Sequence, residues 1–459
     1  MSVDRSRLPP LGEAVGFRFP AIDRVVLANG LELALVERDD VPVVAFHLLA
    51  RAGSADDPVD RAGLAALTAD LLDEGCGELD SRAFHDAVAR IGGQLDIETS
   101  ADATIITLVT LSRFAGRALE LLADLAFRPR FDQRDFDRVR DLRISRLAQL
   151  RDVPAALAER AFAGRLFGAH PYGHLPLGDA EALRQVTVDE VGRFHRRAYR
   201  PAGSLVVVSG AAPLDTIGRQ AADVLGRQVA GLGADEATSS GDETAAEPTP
   251  SSSARLVVID RPGTPQSELR VGRVALSRAT PDYHALLVVN AVLGGQFSSR
   301  LNMNLREQRG YTYGARSYFE FRRRPGPFAV QTSVQTTATV DALRQIYTEL
   351  DDLGSGRPAT DAELDLARAS LTRGFARNFE TAEQVGRAVM QLALYGLPDG
   401  YYDEFPDRVW SINQGEVTRL AREWLEPGRM VTVVVGDRTV TQAELATLDL
   451  GEPLIVEPR

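Results

Sequence analysis

The chain repeats itself, and that constrains its fold more than any other feature. Residues 186–210 read VTVDEVGRFHRRAYRPAGSLVVVSG, and residues 412–436 read INQGEVTRLAREWLEPGRMVTVVVG. Glu190 and Glu416, Val191 and Val417, Arg193 and Arg419, Pro201 and Pro427, and Gly210 and Gly436 share one offset of 226. Each copy has the pattern of an amphipathic helix, a proline turn and a buried strand ending in glycine. A second match sets Val36-Glu37-Arg38 through Pro42 against Ile259-Asp260-Arg261 through Pro265, at an offset of 223. Two matches in the same order at nearly the same offset point to a duplicated domain. At 459 residues the chain is also too long for one ordinary core.

Between the copies, Gly231–Ser253 reads GLGADEATSSGDETAAEPTPSSS, with five acids and no base. Such a composition cannot bury a core and predicts a flexible or extended linker. The expected organisation is an extension over 1–20, a first half over 21–230, a linker over 231–253 and a second half over 254–459. In each half, strands precede long helical patterns. Val25–Leu27, Leu31–Glu37 and Val43–Ala50 read as strands, with Asn29-Gly30 as a hairpin turn. Gly63–Glu74, Ser81–Ile91, Phe136–Arg151 and Ala155–Leu166 read as helices, and Leu95–Leu111 as mostly strand. The second half repeats the order, with strands from Arg255 to Leu276 and a helix over Tyr283–Leu293. Strands and helices without strict alternation predict α+β halves, each a mainly antiparallel sheet packed with helices.

Composition narrows function only by exclusion. A net charge of −12 argues against nucleic acid or an anionic membrane as the main partner. The single cysteine, Cys76, leaves no internal disulfide and no cysteine-based zinc cluster. The N-terminal residues lack the apolar run of a signal peptide, and no stretch has the length of a membrane span. The expected location is cytoplasmic.

The stretch that carries chemistry is Gly294–Ser317, GGQFSSRLNMNLREQRGYTYGARS. Its pattern predicts a short helix ended by Gly310 in the left-handed conformation, with a strand leaving from Tyr311. Arg306 would fall in the last helical turn and Tyr313 on the strand. A guanidinium and a phenol so placed can stabilise the oxyanion formed when a peptide carbonyl is attacked. The competing reading has Arg306 meeting the helix terminus and Tyr313 half-buried on a sheet.

Gly294-Gly295, Ser298-Ser299-Arg300-Leu301, Leu305-Arg306-Glu307, Arg309-Gly310, Tyr313 and Ser317 together resemble the C-terminal-half motif of the insulinase/pitrilysin-type metallopeptidases. These include the mitochondrial processing peptidases and small bacterial relatives. His170-Pro171-Tyr172-Gly173 with Gly178, the duplication, the linker and the length fit the same family. The resemblance implies two homologous halves forming a clam-like chamber. It assigns Arg306 and Tyr313 to binding the substrate carbonyl, and Gly294, Gly295 and Ser317 to substrate binding. It also likens the strand after Gly92-Gly93-Gln94 to one whose edge pairs with an extended peptide, an ordinary core strand being the equal alternative.

The family's zinc motif is His-x-x-Glu-His with a distal acidic ligand. Here Gly63-Leu64-Ala65 opens the equivalent helix, and Ala66, Ala69 and Asp70 stand in place of His, Glu and His. The distal carboxylate is expected near residue 147, but Leu142–Arg151 contains no acid. Of the six histidines, only His170 and His174 lie close in sequence, in a segment whose Pro171 and Gly173 predict a structural loop. This chain is therefore expected to hold no cofactor. The resemblance implies a zinc-bearing homologous subunit as partner, with this chain supplying Arg306 and Tyr313 for the cutting of extended peptides. The alternatives are a non-catalytic peptide-binding or structural subunit resembling the respiratory-complex core proteins, and a peptidase with other ligands. Arg322-Arg323-Arg324 reads as a solvated surface turn.

Overall fold

The computed structural model describes residues 16–211, 214–228 and 254–457. The predicted linker, and residues 1–15 of the predicted extension, lie outside the described residues. The remainder of that extension packs on the far half of the molecule: Phe17 stacks on Phe379 at 4.8 Å between ring centres, and Phe19 meets it edge-on at 5.3 Å.

The first sheet comprises β1 (Asp23–Val26), β2 (Glu32–Glu37), β3 (Val43–Ala50), β4 (Gln94–Thr99), β5 (Thr104–Leu111) and β6 (Leu205–Gly210). The second comprises β7 (Leu256–Asp260), β8 (Gln266–Val274), β9 (Ala315–Phe319), β10 (Pro327–Gln335), β11 (Val431–Gly436) and β12 (Leu454–Val456). The helices that matter below are α1 (Leu64–Asp70), α2 (Gln133–Leu150), α3 (Pro154–Phe167), α4 (Val188–Ala198), α5 (Tyr283–Leu293), α6 (Ala382–Tyr395) and α7 (Gln414–Trp424). Among the described residues, no helix is long and apolar enough to cross a membrane.

Both sheets have one topology. The first runs β1-β2-β6-β3-β5-β4 and the second β9-β10-β8-β11-β7-β12. Read in matching directions, five strands correspond, and the repeat strands β6 and β11 pair in parallel with β2 and β7 respectively. The sequence repeats coincide in space: Arg38 N donates to Gly210 O at 3.0 Å, and Arg261 N donates to Gly436 O at 2.8 Å. Glu190 and Glu416 recur because each closes a capping box, with Thr187 at the start of α4 and with Asn413 at the start of α7. The sheets differ at one edge, where β1 joins β2 through the Asn29-Gly30 hairpin but β12 lies parallel to β7. The stretch expected as mostly strand over Leu95–Leu111 is a hairpin, β4 and β5 turning at 100–103.

The two halves exchange helices. First-half α3 packs on β8 and β11 of the second sheet, and second-half α6 packs on β3 and β6 of the first. This explains why β6 and β11 are buried at every position and rich in valine. On β6, Val206 and Val208 join the core of their own half, while Leu205 and Val207 join the core that contains α6. On β11, Val433 and Val435 pack with Leu157, Phe162 and Leu166 of α3. Each fully buried apolar side chain of this size is worth about 1.5–3 kcal/mol, so the exchange welds the halves into one body.

Candidate functional site

Where α5 ends, Gly294 N and Gly295 N both donate to Asn290 O, at 2.9 and 2.7 Å. A side chain at Gly294 would lie 2.6 Å from Ser317 Oγ, so only glycine fits there. Ser317 is buried; its N donates to Gly294 O at 3.1 Å and its hydroxyl donates to Asn290 Oδ1 at 2.7 Å. Gly294, Gly295 and Ser317 are thus brought together, and the polar groups of Ser317 are spent inside the motif. Gly295 is exposed.

The predicted helix forms, but from Asn302 to Gln308 it is a π-helix. Arg309 N donates five residues back, to Asn304 O at 3.2 Å. This winding explains the imperfect apolar periodicity: Leu301 and Leu305 are fully buried while Met303 is exposed. Such wide turns are rare and concentrate at functional sites. Gly310 closes the end with φ +65°, as expected. Asn302 then holds the next strand by both ends of its amide, donating to Ala315 O at 2.8 Å and accepting from Ala315 N at 3.0 Å.

Strand β9 begins at Ala315, so Tyr313 lies on the connecting loop rather than on the strand. It is 92% exposed, which also excludes a half-buried packing role. Arg306 is partly exposed; its guanidinium carbon sits 4.1 Å from the centre of the Phe297 ring, itself exposed, and Nε lies 3.5 Å from Glu307 Oε1. Among the described residues, no hydrogen bond joins Arg306 to Tyr313. Tyr313 is thus open to solvent, and the Arg306 side chain is about one-third exposed. Arg300 is the opposite case. It is buried, donates to both oxygens of Glu363 at 2.7 and 2.9 Å, and reaches the carbonyls of Arg357 and Pro358 at 2.6 and 3.1 Å.

The other half of the expected site is a cleft of about 620 Å³ between α1, α2 and the edge strand β4. Gly63 precedes α1 with φ +103°, and Asp57 caps it, accepting from Gly63 N at 2.7 Å and Ala65 N at 2.6 Å. Ala66 and Ala69 are buried. Asp70 is half-exposed and ion-paired with Arg143 of α2. Leu147, one turn beyond Arg143, is buried in the apolar core beneath α1. Two methyl groups, a paired carboxylate and a leucine do not fit zinc, which needs imidazole, thiolate or free carboxylate ligands. Among the described residues, no three His, Cys, Asp or Glu side chains are grouped to hold a metal.

The remaining sequence candidates are structural. In the His170–His174 loop, His174 Nε2 lies 3.0 Å from the buried Asp57 carboxylate and supports the start of α1. The basic run Arg322–Arg324 is not a solvated turn. It docks between the halves: Arg323 N donates to Asp102 Oδ2 at 2.8 Å, Arg324 N to the Tyr172 hydroxyl at 3.2 Å, and Arg322 covers the Tyr172 ring at 4.7 Å. Local sequence could not reveal this, because the partners lie some 150 to 220 residues away. Sequence reasoning also missed Phe297, Asn302 and Arg143. For Arg143 the available signal was a charge on the apolar face of α2, one turn before the expected ligand.

Comparison with known proteins bears on the family and the fold. The family model described as insulinase (peptidase family M16) matches residues 33–173, and the one described as the peptidase M16 inactive domain matches residues 185–371. An uncharacterized zinc protease of Streptomyces coelicolor is 24% identical over 404 residues, covering 88% of this chain and 87% of its own. The non-peptidase homolog YmxG of Helicobacter pylori is 23% identical, covering 93% and 97%. The crystal structure of a peptidase M16 inactive domain from Pseudomonas fluorescens superposes with a TM-score of 0.83 at 25% identity, covering 91% of this chain and 98% of that one.

Proposed function

The chain belongs to the insulinase family of M16 peptidases, and from that premise we propose that it is the non-zinc subunit of a heteromeric peptidase. A zinc-bearing homologous subunit would supply the metal, the general base and the attacking water. This chain would supply Arg306 and Tyr313, whose N–H and O–H donors meet the substrate carbonyl oxygen as it gains negative charge. Gly295 is exposed, and Gly294 and Ser317 act by locking the loop. The observation that carries this reading is an asymmetry. Arg306 is partly exposed on the π-helix and Tyr313 is almost fully exposed on the loop that follows it, whereas the expected metal positions hold Ala66, Ala69 and an Asp70 paired with Arg143.

The test is to mix this chain with a zinc-bearing homologue from the same source and follow a quenched peptide. Cleavage should need both chains and stop on chelation. Cleavage by this chain alone would overturn the assignment.

A second reading, a non-catalytic peptide-binding subunit, is favoured by β4. That strand is the outer edge of its sheet, and Leu95, Asp96 and Ile97 line the metal-less cleft. Its free backbone groups can pair with an extended peptide. Saturable peptide binding by this chain, with no effect on a partner's turnover, would select this reading.

A further inference from the structure

We propose that Arg143 is a built-in cation that takes the metal's place in the α1–α2 cleft, bracing its walls and keeping divalent metal out. Asp70 occupies the position of the family's second imidazole, so in a metal-bearing cleft the side chain at 70 would bond the ion. Here it bonds the Arg143 guanidinium instead. The Arg143 side chain is only 8% exposed. Each of its three nitrogens has a different partner: one the Asp70 carboxylate, Nε the Leu177 carbonyl at 3.1 Å, and the third the Pro176 carbonyl at 2.9 Å. The group therefore ties α1, α2 and the segment carrying Pro176 and Leu177 to one centre, as a multidentate ion would.

Three arginines, Arg138, Arg143 and Arg146, line the cleft among the carboxylates Asp70, Asp73, Glu74 and Asp96. Glu74 is already paired with Arg138. Leu147 offers no carboxylate on the α2 side. A dication brought beside a fixed guanidinium is repelled, most strongly where water is excluded. The loss of metal is thus written twice, in the missing ligands and in the charge that replaced the ion. Putting the histidines back would not suffice while Arg143 stays. This inference concerns the chain alone and does not depend on any partner.

Two variants test it. One carries Ala66→His with Asp70→His; the other adds Arg143→Met, which keeps the apolar stem and removes the charge. Co²⁺ is titrated into each and followed by visible absorption and calorimetry, with circular dichroism confirming the fold. The variant with Arg143→Met should bind Co²⁺ at least about tenfold more tightly. Equal affinities, or no binding by either, would overturn the proposal. Should Arg143→Met fail to fold, Arg143→Gln replaces it, keeping a donor for the two carbonyls without the charge.

Discussion

Gly386 of α6, contributed by the second half, lies directly against the imidazole of His47 on β3 of the first. His47 is fully buried, its Nδ1 is 3.0 Å from Thr107 Oγ1, and beside it Ser209 donates its hydroxyl to Ala382 O at 2.6 Å. The exchanged helix can approach the sheet this closely only because residue 386 has no side chain.

Gly386→Ala should therefore destabilise the chain despite the better helix propensity of alanine. A methyl group there overlaps the His47 ring, and overpacking of this kind costs about 1–3 kcal/mol. Urea unfolding is the measurement. Because each half covers the other's sheet, the transition should remain single; wild-type stability would show that the contact relaxes freely.

Stability should fall in acid, in a window set by the buried histidines. Burial, aided by Arg387, pushes His47 down to about 3, and burial likewise lowers His195 and His284 to about 4, all from 6.5. A folded pKa below the unfolded one means that the unfolded chain takes up the proton first. The stability these groups confer is complete above about pH 6.5 and is lost as pH falls toward 4, and toward 3 for His47. For Glu363, burial alone would raise the carboxyl, but hydrogen bonds from Arg300 and Thr360 outweigh it and bring it to about 2 from 4.5. Its contribution is lost below about pH 4.5. Unfolding free energies at pH 7, 5 and 4 should decline in that order; a flat profile would contradict the burial of these groups.

Two arginines of one motif should behave in opposite ways. Arg300→Ala leaves the partly exposed Glu363 and two carbonyls without their donor, and losing hydrogen bonds to a charged group costs about 1.5–3 kcal/mol. Arg300→Lys should recover only part of it, since lysine cannot form the two-pronged contact. A melting temperature unmoved by Arg300→Ala would refute this role.

Arg306→Ala and Tyr313→Phe should leave the melting temperature within about a degree of wild type, as surface changes do. In the mixed assay with a zinc-bearing subunit, each should lower kcat by about 10²-fold, the effect of losing an oxyanion donor. Full turnover by the double variant would remove both residues from the proposed site.

Phe297→Leu tests how Arg306 is held. The ring beneath the guanidinium contributes about 0.5–1 kcal/mol at an exposed site. A loss of up to about fivefold in kcat/KM is expected, with Phe297→Tyr restoring it. Equal activity of the leucine and tyrosine variants would assign the ring no positioning role.

The sequence by itself determined the duplication, the α+β class of each half and the two alanines that stand at positions of the expected zinc motif. Those properties are written in short-range patterns. Capping residues, proline turns and strand periodicity act within a few residues, and Ala66 and Ala69 carry no metal-binding atom in any conformation. Gly310 was equally legible, because a left-handed helix end is a local demand. Tertiary structure alone decided the rest. Periodicity shows that β6 and β11 are buried on both faces but not that the second cover comes from the other half. Nor does charge pattern reveal that Arg322–Arg324 meets Asp102 and Tyr172, or that Arg143 stands where a metal would. These contacts join residues far apart in the chain, and their partners are chosen by packing, which no local pattern encodes.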